Sequence, residues 1–298
     1  MKYKKPSKLS IPAILILFLA LWIFKGNSGI IDNELIWEEG NLLVHFIDVG
    51  QGDCELVELP EGEIMLIDAG DNGYEDIVTG YLDDLGIERI DYLIATHPHA
   101  DHIGGMEEVI KRYDIGEIYM PKAASESRTF EKMLDAIEEK GLLVHTAEAG
   151  KAIFSGKDLK ADILSPKKGE LYEDTNNNSV VLRLVYGKKS FLFTGDIESE
   201  AERDIIFSGI DISSEVLKVA HHGSSTSSIY EFIEAVNPSY AVISCGEDNE
   251  YGHPHRETLY TFQNIGSKIL RTDELGTVKI MTDGKNLEVE NKKEYEIN

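Results

Sequence analysis

The stretch Thr96-His-Pro-His-Ala-Asp-His-Ile-Gly-Gly105 places three imidazoles, His97, His99 and His102, and one carboxylate, Asp101, within six consecutive positions. So dense a set of nitrogen and oxygen donors is the pattern of a metal site. It follows the apolar run Tyr92-Leu-Ile-Ala95, which reads as a strand. On an extended segment His97 and His99 point to one side, and Asp101 and His102 come one turn later, so the stretch can reach two metal ions at once.

On either side of this stretch the chain alternates between strand-like and helix-like patterns. Strands are predicted at residues 42–48, 54–59 and 63–68, separated by the turn residues Gly50-Gln-Gly52 and Pro60-Glu-Gly62. A helix at 75–85, the strand at 92–95, a helix at 106–113, a strand at 115–120 and a helix at 129–140 closed by Gly141 follow. The second half repeats the logic, with strands at 142–145, 158–164, 179–186 and 190–194. Then come a helix at 198–207, a strand at 215–220, a helix at 228–236, a strand at 240–244, a helix at 255–265 and strands near 268–271 and 277–282. Two meanders, each followed by αβ units, are expected to pack as two sheets face to face with helices outside. No linker or repeat interrupts residues 34–298, which read as one domain.

Further donors fall at the ends of predicted strands. Asp196 follows a strand and Gly195, and a carboxylate there can bridge two ions. His221 and His222 end another strand. Adjacent residues on an extended chain face opposite ways, so one imidazole is expected on the metal and the other beside it, with His221 preferred as the ligand. His253 and His255, in Gly252-His-Pro-His255, lie on the same edge. His253 either binds substrate or protonates the leaving group, and His255 either joins it or merely starts a helix. Asp101, His222 and His253 are the catalytic candidates. Ser224 either contacts phosphate or begins a helix. Asp48, Asp53 and Asp68 are either turn carboxylates or acceptors for the free ring N–H of metal-bound histidines, with Asp53 the weakest case. His145 reads as a structural or surface histidine, the 247–250 acidic run as a solvated loop, and the charged faces of 131–140 and 198–203 as solvent-facing.

These residues resemble the metallo-β-lactamase fold superfamily, whose metal motif has the form His-x-His-x-Asp-His followed by an Asp and a late His at strand ends. More closely, seven motifs look like the hydrolase domain of ComEC-type competence proteins and their stand-alone relatives. In order they are Ile47-Asp-Val-Gly-Gln-Gly-Asp53, Ile67-Asp-Ala-Gly70, the 96–105 stretch, Asn176-Asn-Asn-Ser179, Thr194-Gly-Asp196, His221-His-Gly-Ser224 and Tyr251-Gly-His-Pro-His255. The resemblance implies an α+β, four-layer αββα sandwich. It also implies two divalent ions, Zn²⁺ or Mn²⁺: His97 and His99 on the first, Asp101, His102 and His221 on the second, and Asp196 bridging. The ions would turn a water into a nucleophile near neutral pH and polarise the group it attacks. Many superfamily members carry a further metal-binding His before the bridging Asp. Here Asn176 and Ser179 stand in that place, so an oxygen replaces an imidazole and the first site is harder and more open.

The reading is therefore a dinuclear metal-dependent hydrolase acting on a phosphodiester, with single-stranded nucleic acid among the candidate substrates. An esterase or lactonase, including a phosphocholine esterase, or a non-catalytic binding module are the alternatives. With 54 Asp and Glu against 29 Lys and Arg, the net charge of −25 rules out a broad basic nucleic-acid surface. Lys2, Lys4, Lys5 and Lys8 precede the apolar run at residues 11–24. Residues 1–33 are thus expected to be a signal peptide or membrane-contacting signal anchor that leaves the body extracytoplasmic, secreted or anchored. At most one membrane segment is expected, so a DNA-transport role does not carry over. Cys54 and Cys245 are expected to be buried free thiols, with a single disulfide between them as the alternative that export would allow.

Overall fold

In a computed structural model of the chain, which describes residues 34–290, the apolar runs become two β-sheets. The first half contains β1 (Leu42–Phe46), β2 (Glu55–Glu58), β3 (Ile64–Ile67), α1 (Glu75–Asp84), β4 (Arg89–Ile94), α2 (Ala100–Ile103), α3 (Met106–Arg112), β5 (Asp114–Met120), α4 (Arg128–Glu139) and β6 (Val144–Thr146). The second half starts with β7 (Ala152–Ser155), β8 (Leu159–Ser165), β9 (Val181–Tyr186), β10 (Lys189–Phe193), α5 (Ser199–Phe207), β11 (Val216–Lys218) and α6 (Tyr230–Val236). It ends with β12 (Tyr240–Ile243), α7 (Arg256–Ile265), β13 (Lys268–Arg271), α8 (Thr272–Leu275), β14 (Val278–Thr282) and β15 (Leu287–Val289).

One sheet runs β15-β14-β1-β2-β3-β4-β5-β6 and the other β13-β12-β11-β10-β9-β8-β7. Each is antiparallel where hairpins connect the strands and turns parallel where helices cross over, at β3–β4 in one sheet and β10–β11 in the other. A core containing Phe46, Val44, Phe191 and Phe193 lies between the sheets. Two further cores pack helices onto the outer faces, one through Val78, Met106 and Phe130, the other through Ile205, Phe232 and Phe262. The result is the expected αββα sandwich. Helix α4 shows why the outer layers form. Phe130, Met133, Ala136 and Ile137 share its buried face at helical spacing, and Ser127 caps it by accepting the Phe130 N–H at 3.2 Å.

Strands β7 and β15 and the short helices α2 and α8 were not expected from the sequence. Both strands are short and lie at sheet edges, where one flank is open and the apolar alternation is weak. Cys54 and Cys245 are free and buried, and burial pushes the Cys245 thiol up to about 12. Among the described residues no helix is long and apolar enough to cross a membrane. The segment read as a signal or anchor lies outside the described residues.

Candidate metal centre

The site collects at the carboxyl ends of the parallel strands, the edge where open α/β sheets ordinarily bind ligands. Strand β3 delivers Asp68, β4 runs into Thr96 and His97, and His99 sits immediately before α2, which carries Asp101 and His102. Strand β10 delivers Asp196, and β11 delivers His221 and His222. Two glycines close the motif because no side chain fits there. A Cβ on Gly104 would lie 2.2 Å from the Asn72 nitrogen, and one on Gly105 2.5 Å from the Ala69 carbonyl oxygen.

Asp68 is the organiser on the first sheet. Its Oδ1 accepts the Thr96 N–H at 2.8 Å, and its Oδ2 accepts the Thr96 hydroxyl at 2.6 Å and the His102 Nδ1–H at 2.7 Å. That bond fixes the His102 tautomer and leaves Nε2 free, 3.2 Å from Asp196 Oδ2. Of the two readings of Asp68, the geometry selects the one in which it orients a histidine. His97 Nε2 and His99 Nδ1 lie 3.0 Å apart, with His97 buried and His99 exposed.

Two residues with positive φ shape the second sheet's contribution. His221 and His222 adopt φ of 52° and 54°, the left-handed region that non-glycine residues rarely occupy. The chain is therefore not extended here, and both imidazoles turn toward Asp196 instead of to opposite sides. His222 Nε2 lies 3.2 Å from Asp101 Oδ2 and 3.5 Å from Asp196 Oδ2, while its Nδ1 faces the Ser244 carbonyl at 3.0 Å. His221 Nε2 is 3.8 Å from Asp196, and its Nδ1 is held by Glu198 at 3.3 Å. The four residues whose ligand atoms all lie within 4.8 Å of one another are Asp101, His102, Asp196 and His222. The expected preference for His221 is thus reversed in geometry: His222 is the deeper imidazole, and His221 sits at the more open edge.

The electrostatics call for cations. Burial alone would lower the pKa of His102 and of His222, yet the carboxylates around them raise both well above the usual value. Burial would likewise raise Asp196, and the two imidazoles instead hold it well below the carboxylate range. His102 Nε2, Asp196 Oδ1 and Asn176 Oδ1 are buried without a hydrogen-bond partner. A buried ligand atom left unsatisfied is costly, and a divalent ion would satisfy this donor set of imidazole nitrogens and carboxylate oxygens. The residues fit the group.

Other expected residues fall into place with some corrections. Ser179 Oγ accepts the Asp196 N–H at 3.1 Å and so positions that carboxylate. Asn176 lines the same cavity as His99, Asp196, His221 and His253, with its Nδ2 3.5 Å from Glu198. His253 also lines it, and burial together with His222, His221 and His255 pushes its pKa down to about 4, so its ring is neutral at pH 7. A group so weakly basic is a hydrogen-bond partner for substrate and a poor proton store. His255 caps α7 and accepts the Ser225 N–H at 2.9 Å. Ser224 Oγ makes a local turn contact with Thr226 at 3.0 Å and starts no helix. His145 is exposed on edge strand β6, stacked on Tyr119.

Asp48 and Asp53 exchange the roles expected of them. Asp48 accepts the Gly50 N–H at 3.1 Å as a turn carboxylate, because its backbone N–H is tied to Thr277 and the turn faces the outer cavity. Asp53, the weaker candidate, lies 3.3 Å from His222 Nδ1 and 3.7 Å from His102 Nδ1. It is paired with the fully buried Lys218, which sequence reasoning missed. The available signal was a charged residue inside the apolar strand Val216-Leu-Lys218 that runs into the histidine pair. The charged face at 198–203 is also not wholly solvent-facing. Glu198 holds His221, and the buried Glu202 accepts the N–H groups of Ser228 and Ile229 at 2.6 and 3.0 Å. Finally, Glu247, Asp248 and Glu250 line a cavity of about 550 Å³ that shares Gln51, Asp101 and Tyr251 with the metal cavity, so the run forms a wall beside the site.

Fold and site together define a two-sheet αββα sandwich with a cluster of potential metal ligands at the carboxyl edge of its strands. Residues 47–247 match the family model described as metallo-beta-lactamase superfamily, and the chain belongs to that superfamily. Among solved structures, the metallo hydrolase Igni18 from Ignicoccus hospitalis aligns over 80% of this chain and 98% of its own, with TM-score 0.52 and 17% identity. YhfI from Bacillus subtilis, a metallo-beta-lactamase fold protein, aligns over 77% and 95% with TM-score 0.51 and 11% identity. At such identities the likeness is one of fold. The curated relatives include competence proteins, as the motifs implied. ComE operon protein 3 of Bacillus subtilis is 34% identical over 79% of this chain and 32% of its own length. Competence protein ComA of Neisseria gonorrhoeae is 31% identical over 81% and 32%. The chain thus spans about a third of the length of the curated relatives it matches.

Proposed function

We propose that the protein is a dinuclear phosphodiesterase whose natural substrate is a phosphodiester, single-stranded nucleic acid included. The observation that carries this reading is the position of Asp196, whose Oδ2 meets His102, His222 and His221 within 3.8 Å while the His97–His99 pair lies on the adjoining motif. Asp101, His102 and His222 would hold one ion, His97 and His99 the other, and Asp196 would serve both. Asn176 replaces a ring nitrogen with an amide oxygen at the second of these, which favours a hard ion and keeps Mn²⁺ beside Zn²⁺ as a candidate. Divalent ions in such a pair supply Lewis acidity and an activated water.

The chain's own residues do the rest. Asp68 and the Ser244 carbonyl hold His102 and His222 in the tautomer that turns Nε2 inward, and Glu198 orients His221. Neutral His253 offers a ring hydrogen bond to an oxygen of the substrate. Among the described residues no side chain lining the cavity is a strong nucleophile of the Ser-His or Cys-His kind, so the reading is direct hydrolysis with no covalent enzyme intermediate.

Export of the body from the cytoplasm, through residues 1–33, belongs to the same proposal and rests on the lysines and apolar run of that segment. Protease accessibility of the body in intact cells tests it.

The function is tested by assaying the protein, loaded with Mn²⁺ or Zn²⁺, on bis-p-nitrophenyl phosphate, single-stranded DNA, a p-nitrophenyl ester and a lactone. Phosphodiester turnover that disappears in Asp196→Ala is expected. Rapid lactone or ester cleavage without phosphodiester turnover would overturn the reading, as would turnover that survives that substitution.

A further inference from the structure

The loop between β12 and α7 carries an aromatic ring that the metal chemistry does not use. Tyr251 is 66% exposed, and its ring stacks on His253 with centroids 5.5 Å apart and planes 19° from parallel. It lines both the metal cavity and the adjoining cavity of about 550 Å³.

Exposed rings on loops are ordinarily mobile, but this one is held from several sides. The Asn249 side-chain amide donates to the carbonyls of Gly246 at 2.9 Å and His253 at 2.7 Å, and its oxygen accepts the His253 N–H at 2.9 Å. His255 Nδ1 accepts the Ser225 N–H at 2.9 Å, and its Nε2–H donates to the Tyr251 carbonyl at 3.2 Å. A pre-ordered aromatic ring gives up little conformational entropy when a ligand stacks on it.

The walls of the larger cavity limit what can lie there. Asp48, Asp71, Glu247, Asp248 and Glu250 line it, and among the described residues no lysine, arginine or histidine does. A second phosphate would be repelled, whereas a planar group bearing N–H donors would find both a ring face and acceptors. Of a diester whose phosphate sits at the metal centre, the part suited to this cavity is a base.

We propose that Tyr251 is the stacking platform for a nucleobase of the substrate, joined through its sugar to the phosphate at the metal centre. The proposal rests on the phosphodiesterase reading. His255 is a positioning residue that holds this platform through the Tyr251 carbonyl.

The test compares the wild-type protein, Tyr251→Ala and Tyr251→Phe, each loaded with Mn²⁺, on the dinucleotide d(ApA) and on its two analogues with one base replaced by an abasic tetrahydrofuran unit. The alanine variant is expected to raise KM for d(ApA) by roughly 5- to 150-fold, the range for loss of one base stack, with kcat unchanged. The phenylalanine variant keeps the wild-type KM. One abasic analogue already has the raised KM with wild-type protein and is insensitive to the alanine substitution. An equal KM rise on all three substrates, a change in kcat alone, or no change would overturn the stacking role. Bis-p-nitrophenyl phosphate serves as control: if it is cleaved, those outcomes dismiss the platform alone, and if no diester is cleaved, the phosphodiesterase reading falls and the platform with it.

Discussion

His222 Nε2 lies 3.2 Å from Asp101 Oδ2, although 121 residues separate the two in the chain. This contact joins the second sheet's histidine turn to the first sheet's motif helix and encloses the space between Asp101, His102 and Asp196. His221, its sequence neighbour, faces Glu198 and the open side.

The two histidines should therefore separate on substitution. His222→Ala is expected to weaken binding of one metal equivalent by more than about 10–100-fold, the loss typical of removing only an outer partner of a ligand. His221→Ala is expected to keep both equivalents and to slow turnover. Metal analysis after dialysis against graded chelator, together with bis-p-nitrophenyl phosphate kinetics, distinguishes them; the opposite ranking would return the ligand role to His221.

Asp68 accepts three hydrogen bonds, from the Thr96 N–H, the Thr96 hydroxyl and the His102 ring. An asparagine there must turn its amide N–H₂ toward one of those donors. Asp68→Asn is expected to fold and to lose roughly 10–100-fold in metal affinity through misorientation of His102. Competition with a chromogenic chelator measures it, and wild-type affinity would refute the orienting role.

Lys218 and Asp53 are each about 1% exposed and form a buried ion pair beside Glu55. Burial lowers the Lys218 pKa, but the surrounding carboxylates outweigh it and keep the ammonium charged. Lys218→Met leaves Asp53 with only the His222 and His102 rings as charge partners, at a cost of up to about 3–5 kcal/mol. Adding Asp53→Asn should recover part of that loss. Urea unfolding of both variants without metal checks it, and a single variant as stable as wild type would contradict it.

Burial lifts Glu202 from 4.5 to about 7 despite the two backbone N–H groups its carboxylate accepts. Because the folded pKa is the higher one, its contribution to stability is complete below about pH 4.5 and is lost as pH rises to about 7. A shift of this size corresponds to roughly 3 kcal/mol. Unfolding in urea at pH 5 and pH 8, with chelator present, should show a larger drop for wild type than for Glu202→Gln. Equal drops would show that Glu202 does not titrate in this window.

Much of the site was legible because metal ligands are chemically narrow and cluster locally. His97, His99, Asp101 and His102 share one short stretch, and Asp196 follows a strand and a glycine, so residue type and spacing sufficed to group them. The αββα order was legible from the alternation of strand and helix patterns, since burial of apolar faces fixes both periodicities. The edge strands β7 and β15 escaped because one open flank relaxes the pattern.

What only the tertiary structure decided lies where distant segments meet or where the backbone departs from its usual conformations. The positive φ at His221 and His222 reverses the facing that extended geometry implies, and no local pattern announces it. Asp53 acquires its role only because Lys218 crosses from the other sheet to neutralise it. Tyr251 becomes a wall of the site only because Asn249 and His255 tie its loop beside the histidines. Sequence determined which atoms could bind a metal and in which layers they would lie. Long-range packing decided which atoms face one another, because that depends on how the carboxyl edges of the two sheets come together.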